Sequence, residues 1–394
     1  VRAGCRALLC AALAASSPAL AAVTPSLEIR QMLQSADNAE FGAVSETVWL
    51  QRWLPGADWQ PAPAHHLFGE LVLAYDSGRD GGSVPLEQNE GDVHQLFYRY
   101  KAKAVSATLG RQVWKFGRQR LVGHREGTNV RRRFDGTLLT LQRGAAQWSA
   151  YHGYHVDSRI DAFDDPTDEE LFISGVEAQG ELTPTLHGYS NALAYRDRRR
   201  DERRYAWELH VSSETTVALE LEGIRQWGDS GGASINAYWL LAQASYPRGG
   251  VTWSLGASQA SGDDGRHTGF EPLFAKVPYY EVAGIFAPSN LREAFVTAER
   301  KWGESSALAL EARQLWRVSS RDALYGPRRR PLLPAAAAGG DRVATIATLH
   351  AEHRVSKALE LSLAYSYLDA SRLLEAAGLA PHSQFLELTL DYRL

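Results

Sequence analysis

Cysteine is almost missing from this chain: of 394 residues only Cys5 and Cys10 carry a thiol, both close to the N-terminus. Lysine is nearly as scarce, since six of the 42 basic side chains are lysine and the rest are arginine. No uncharged apolar run approaches the ~20 residues that a membrane-crossing helix requires, which excludes a helical membrane protein. A basic excess is also absent, the formal charge being −4, so nucleic acid is not an expected partner. Phosphate loops and nucleophile motifs are missing, and His65, His66, His152 and His155 have no acid at a recognisable ligand spacing. No catalytic residue, metal site or cofactor is therefore expected, and a barrel-rim enzyme ranks last among the functional readings. What the chain does have is 44% hydrophobic and 10% aromatic residues, too much core material for a disordered chain.

Arg2 and Arg6, the apolar stretch 7–15 and the pattern Ala19-Leu20-Ala21 read as a secretory signal peptide cleaved after Ala21. Residues 1–21 would then be removed, leaving 22–394 as a single mature domain. A lipoprotein would need a small residue just before Cys10, where Leu9 stands. Both cysteines leave with the signal, so the mature chain has neither disulfides nor thiol chemistry. Because residues 1–21 hold two arginines and no acid, the 42 basic side chains become 40 against 46 acidic ones, and the formal charge moves from −4 to −6.

Alternation with a period of two recurs along the rest of the chain. Leu386, Leu388, Leu390, Tyr392 and Leu394 share one face, with Glu387, Thr389, Asp391 and Arg393 on the other. The same holds for Leu359 to Tyr367, for Tyr205, Trp207, Leu209 and Val211, for Val217, Leu219 and Leu221, and for Leu71, Leu73 and Tyr75. A soluble sandwich alternates too, but its strands are usually about five or six residues long. These run to about ten, with charge on the second face, as suits a tilted transmembrane strand lining a wet lumen.

Connections sharpen the reading. Long polar segments near 76–92, 117–133, 157–170, 195–204, 227–234, 261–291, 320–341 and 369–384 alternate with short ones near Val105, Gly144, Thr183, Ser213, Pro247, Gly303 and Ser356. Long extracellular loops alternating with short periplasmic turns are the pattern of an outer-membrane barrel. About 16 strands follow from Leu67 onward, and Leu27 to Trp53 adds two or none because both ends lie in the periplasm. Phe41 to Trp53 is strand-like and Leu27 to Gln34 only weakly so. The expected fold is thus all-β, a transmembrane antiparallel β-barrel of about 18 strands, with 16 as the alternative. Its setting is the outer membrane of a Gram-negative cell, with the barrel-assembly machinery, lipid and lipopolysaccharide as partners. Trp49, Trp53, Tyr98, Tyr100, Tyr151, Tyr195, Tyr246, Trp302, Trp316, Tyr367 and Tyr392 fall near strand ends, where an aromatic girdle belongs.

The segment Val113-Trp114-Lys115-Phe116-Gly117-Arg118-Gln119-Arg120-Leu121-Val122-Gly123, followed by Asn129 and Arg133-Phe134-Asp135-Gly136, resembles the first signature block of the alginate export family. Ala260-Ser261-Gly262-Asp263, Phe270, Leu273-Phe274 and Tyr279-Tyr280 resemble the second. The resemblance implies a monomeric 18-stranded barrel, and in the family's best-known member a polyanionic uronate polysaccharide leaves through an arginine-lined constriction. Two departures are visible. The late periplasmic turn, around Val355 to Ala358, is too short to plug the barrel from below, and the mature charge is negative.

Strand parity places Arg99, Lys101, Arg204, Arg313, Arg342 and Arg354 inward, opposite outward Tyr98, Tyr100, Leu310 and Val343. Guanidinium groups stay charged and bind carboxylates in a bidentate fashion, so an arginine ladder suits a carboxylated sugar or organic anion. The competing reading pairs them with Glu70, Glu208, Glu220, Glu222, Glu311 and Glu352 as bracing. Arg118, Arg120, Arg125, Arg131, Arg132 and Arg133 lie on the loop with the first block, which either folds into the mouth, is solvated, or meets lipopolysaccharide outside. The acids Asp161, Asp164, Asp165, Asp168, Glu169 and Glu170, with Asp263 and Asp264 elsewhere, read as solvated loops, with Ca²⁺ as the alternative for the first group. The function expected is passive flux of an anionic carbohydrate or organic anion, driven by a gradient or by a periplasmic export partner. The runner-up is a small-solute uptake porin with structural arginines.

Overall fold

A computed structural model of the chain describes residues 22–394 except 43, 80, 264–267, 277 and 281. Residues 1–21, read as a signal peptide and holding both cysteines, and Asp264 lie outside the described residues. Alternating sequence becomes paired strand throughout. The strands are β1 (Ala22–Asp37), β2 (Glu46–Ala62), β3 (His65–Ser77), β4 (Asn89–Ala102), β5 (Val105–Gln112), β6 (Phe134–Arg143), β7 (Ala146–Val156), β8 (Thr167–Thr183) and β9 (Leu186–Asp197). They continue as β10 (Glu202–Ser213), β11 (Ala218–Ser230), β12 (Ala233–Arg248), β13 (Val251–Ala260), β14 (Leu291–Trp302), β15 (Ser306–Arg317), β16 (Arg342–Arg354), β17 (Leu359–Ala370) and β18 (His382–Arg393).

Each strand pairs antiparallel with its sequence neighbours, and β1 pairs with β18 from Glu28↔Arg393 to Asp37↔Gln384, so the 18-stranded sheet closes on itself. The weak segment Leu27 to Gln34 is therefore a full strand, and 18 is the count. Closure leaves no unpaired edge, which a chain in lipid requires. Trp49, Trp148, Trp207, Leu240, Leu255 and Leu310 are each about half exposed and form the outer face, while Arg52, Asn191, Glu208 and Gln226 on the other parity are buried toward the lumen.

The connections depart from strict alternation at two places. The segments near 195–204 and 227–234, expected as long outer loops, shrink to tight turns at 198–201 and 231–232, because β9 to β12 extend further outward than hydrophobic periodicity suggests. Two girdle assignments also change: Tyr151 is buried and hydrogen-bonds Asn191, and Tyr195 packs against Phe274, so both point inward. Val343, expected on the lipid face, is buried, because the register slips between Leu315 and Trp316 where β15 meets β16, and Arg342 moves to the exposed outer rim. The remaining outer loops fold over and into the barrel. Phe41, Phe286, Leu324, Leu333 and Leu373, from four different connections, form one buried apolar cluster at the outer end.

Candidate functional site

Residues 113–133, between β5 and β6, turn into the lumen because their aromatic side chains have somewhere to pack. Trp114 stacks on Phe134 at 4.7 Å and Phe116 on Tyr151 at 4.1 Å. Gly117 has φ +48°, and a Cβ there would stand 2.4 Å from the Tyr189 ring, so only glycine fits. Residues 261–290, between β13 and β14, meet this loop along a run of backbone hydrogen bonds. The N–H of Phe274 donates to Leu121 (2.9 Å), that of Gly123 to Phe274 (2.8 Å), and that of Lys276 to Gln119 (2.9 Å). Arg132 locks the joint by donating to the carbonyl oxygens of Gly123 (2.9 Å), Ala275 (3.2 Å) and Phe274, with its guanidinium over the Phe274 ring. The two signature blocks are thus halves of one inner latch.

Charge ties the loop to opposite walls. On one side Arg118 pairs with Glu220 (2.9 Å) and Arg120 with Glu222 (3.5 Å) on β11, Arg120 also lying over the rings of Trp239 and Tyr279. On the other, Glu126 receives Arg30 of β1 and Arg52 of β2, while Arg131 bridges Glu126 (2.6 Å) and Glu28 of β1 (2.7 Å). Asn129 donates to backbone oxygens of Gln51 (2.9 Å), Tyr75 (3.2 Å) and Glu87 (2.8 Å). In an 18-strand ring β2 and β11 are nine places apart, so the loop crosses the lumen. Burial would raise the Glu126 carboxyl, but His124 and Arg131 hydrogen-bond it and hold it well below the usual carboxylate range. The solvated-loop and outside-lipopolysaccharide readings of Arg118, Arg120 and Arg131 to Arg133 are therefore corrected. Their side chains are spent on the walls, on backbone oxygens or, for Arg133, on Asp165 at 2.7 Å with both groups fully buried.

The strand arginines divide. Arg204 binds Glu202 (2.7 Å) and Gln226, Arg313 binds Glu311 (2.7 Å) and Glu293, and Arg354 faces Glu360 at 3.7 Å near the periplasmic rim. Arg342 donates to Thr345 Oγ1 (2.6 Å) and, among the described residues, makes no ion pair. Arg99 donates to Thr108 (3.1 Å) and lies over Phe97, and among the described residues neither Arg99 nor Lys101 makes an ion pair. With Lys103, Ser106, Thr140 and Gln142 they line a groove of about 460 Å³ in the periplasmic half of the wall, and no carboxylate among the described residues lines it. Beside the crossing loop lies a cavity of about 320 Å³, lined among others by Arg125, Arg132, Lys276 and Arg329 against Glu40, Glu87 and Glu271. Glu271 is paired with Arg329 at 3.1 Å. Burial pushes the Glu87 carboxyl up to about 7, and burial together with Arg120 lowers the Lys276 ammonium below the usual lysine value.

Facing the basic side stands a carboxylate wall: the Tyr189 hydroxyl lies 2.7 Å from Glu208 and 2.8 Å from Glu222, with Glu177 buried nearby on β8. Sequence reasoning missed Arg30, Arg52 and Glu126. Arg52 sits between buried Leu50 and Leu54, with Trp49 and Trp53 on the other parity, so its strand shows apolar residues on both faces. The acidic loop is not simply solvated either. Asp168 is bound by Arg199 (2.6 Å), Asp165 by Arg133, and two groups converge at the outer mouth, His155 with Asp157 and Asp168, and Asp92 with Asp164 and Asp165.

Residues 23–380 match the sequence profile of a family described as alginate export. No curated protein matches the chain in sequence. Similar folds occur in OccK3 (OpdO) of Pseudomonas aeruginosa (TM-score 0.64, 14% identity, 94% of this chain and 95% of that one) and OccAB1 of Acinetobacter baumannii (0.67, 13%, 94% and 96%). OpdK, an outer-membrane protein of P. aeruginosa, aligns at 0.66 with 12% identity over 95% and 98%.

Proposed function

The chain belongs to the alginate export family, and on that footing we propose that this outer-membrane barrel is a passive channel for an anionic solute, a carboxylated saccharide or organic anion. The observation that carries the reading is the groove of Arg99, Lys101 and Lys103, where cations line the lumen wall and no carboxylate does. Arg99 and Lys101 are the nominated lumen cations whose charge is not spent within the wall, so a passing carboxylate gains most there. The cavity of about 320 Å³ beside the crossing loop favours sugar acids or short oligosaccharides threaded end-on. The other cations, Arg118, Arg120, Arg131, Arg132, Arg133, Arg204, Arg313 and Arg354, shape the passage and brace it, while Arg342 stands at the outer rim. That bracing is also what the small-solute porin reading draws on. No step consumes energy, so net flux follows a gradient or a periplasmic partner that supplies the solute.

Reversal potentials across a planar bilayer under a KCl gradient test this. The wild-type channel is expected to be anion-selective, and R99Q/K101Q is expected to reduce the anion-to-cation permeability ratio several-fold while conductance persists. Uronate oligosaccharides should block the current more strongly than neutral oligosaccharides of equal length. Cation selectivity of the wild type, unchanged in R99Q/K101Q, would favour the small-solute porin and sink the anion channel.

A further inference from the structure

Arg196 of β9 and Arg203 of β10 stand directly opposite each other in the strand register. They share the lipid-facing side with Tyr205 and Trp207, both about half exposed. Like charges so placed at the rim of the wall repel unless an anion meets them. Among the described residues neither forms an ion pair, although Asp229 stands opposite Arg203 on β11 and Glu170 tops β8 on the same face. Arg225 of β11, exposed and opposite Trp207, lies just below the ring pair Tyr205–Trp227, whose centroids are 6.0 Å apart. Its long stem lets the charge rise along the wall past those rings. Aromatic rings of this kind mark headgroup depth. The turns bordering the patch, 198–201 and 231–232, are the two tightest connections on the outer rim, so the wall ends here without a long loop.

We propose that Arg196 and Arg203, with Arg225 beneath them, form a binding site for the phosphate groups of the outer leaflet's glycolipid, lipid A. Two opposed guanidinium forks chelate a phosphate monoester, which removes their mutual repulsion, while the acyl chains lie along the apolar wall below.

Native mass spectrometry of the mature channel in detergent, titrated with phosphorylated or enzymatically dephosphorylated lipid A, tests the assignment. The wild type should bind the phosphorylated form at least tenfold more tightly. R196Q/R203Q should lose that preference at unchanged single-channel conductance, and R292Q, on the lipid-facing parity of β14, should keep it. Equal affinity of the wild type for the two lipids overturns the proposal, as does an undiminished preference in R196Q/R203Q. Displacement of the lipid by millimolar inorganic phosphate would assign the patch to free phosphate and overturn the lipid assignment. If the double variant does not fold, the wild-type comparison decides alone.

Discussion

Arg133 and Asp165 show how little freedom single charges have inside this barrel. Both are fully buried and paired at 2.7 Å, so removing one leaves the other as an uncompensated charge. R133A is expected to destabilise the protein by about 3–5 kcal/mol, read as a lower temperature for loss of the heat-modifiable gel band. Glu87 sets a pH dependence. Its carboxyl, raised by burial from 4.5 to about 7, accepts the Asn129 N–H that docks the crossing loop. Because the folded value exceeds the unfolded one, the contribution to docking is complete below about 4.5 and is lost as pH rises through about 7. Glu126, shifted the opposite way, stays charged across that window. Open-channel noise should therefore be greater at pH 8.5 than at pH 5.5, and E87Q should abolish the difference. An E87Q channel that keeps the same pH dependence would remove Glu87 from this role.

At the level of elements, the crossing loop decides the width of the passage. N129A removes the amide group shared among backbone oxygens of β2, β3 and the β3–β4 connection, so single-channel conductance should rise and fluctuate more, with the barrel itself still folded. An unchanged trace would mean that the Arg118 and Arg131 ion pairs suffice. Most strands were legible in the sequence because a lipid-facing side and a wet side impose a period of two. β1 was faint because Gln31 and Ser35 interrupt its outer face. The tight turns at 198–201 and 231–232 were hidden because polar residues such as Arg203 and Asp229 continue the strands beyond the apolar band. The latch left no periodic pattern: it joins residues 119–123 to 274–276 through main-chain groups, which every sequence possesses, with the Arg132 side chain locking the joint. Motif resemblance marked both segments, yet only the fold brings them into contact.

For the whole molecule, net charge says little and its placement a great deal. The chain excluding residues 1–21 is negative, with carboxylates concentrated on the wall of β8 to β11 and guanidinium groups gathered around β1, β2 and the loop that crosses between them. The cations at Arg99, Lys101 and Lys103 lie toward the periplasmic end, apart from that carboxylate wall. Export processing after Ala21 predicts that mass spectrometry of the membrane-inserted protein finds Ala22 at the N-terminus; an intact residue 1 would refute the signal assignment.

The seam between β1 and β18 carries one more implication. Arg30 on β1 holds Asp391 on β18 through two hydrogen bonds, at 2.9 and 3.0 Å, and holds Glu126 of the crossing loop as well. First and last strands are thus charge-matched to each other, and the loop adds a second carboxylate to the same arginine. A chain that closed around an empty bore would keep the Arg30–Asp391 bond but leave the same guanidinium without its Glu126 partner, so the joint of the cylinder gains its full set of contacts only once the crossing loop is inside.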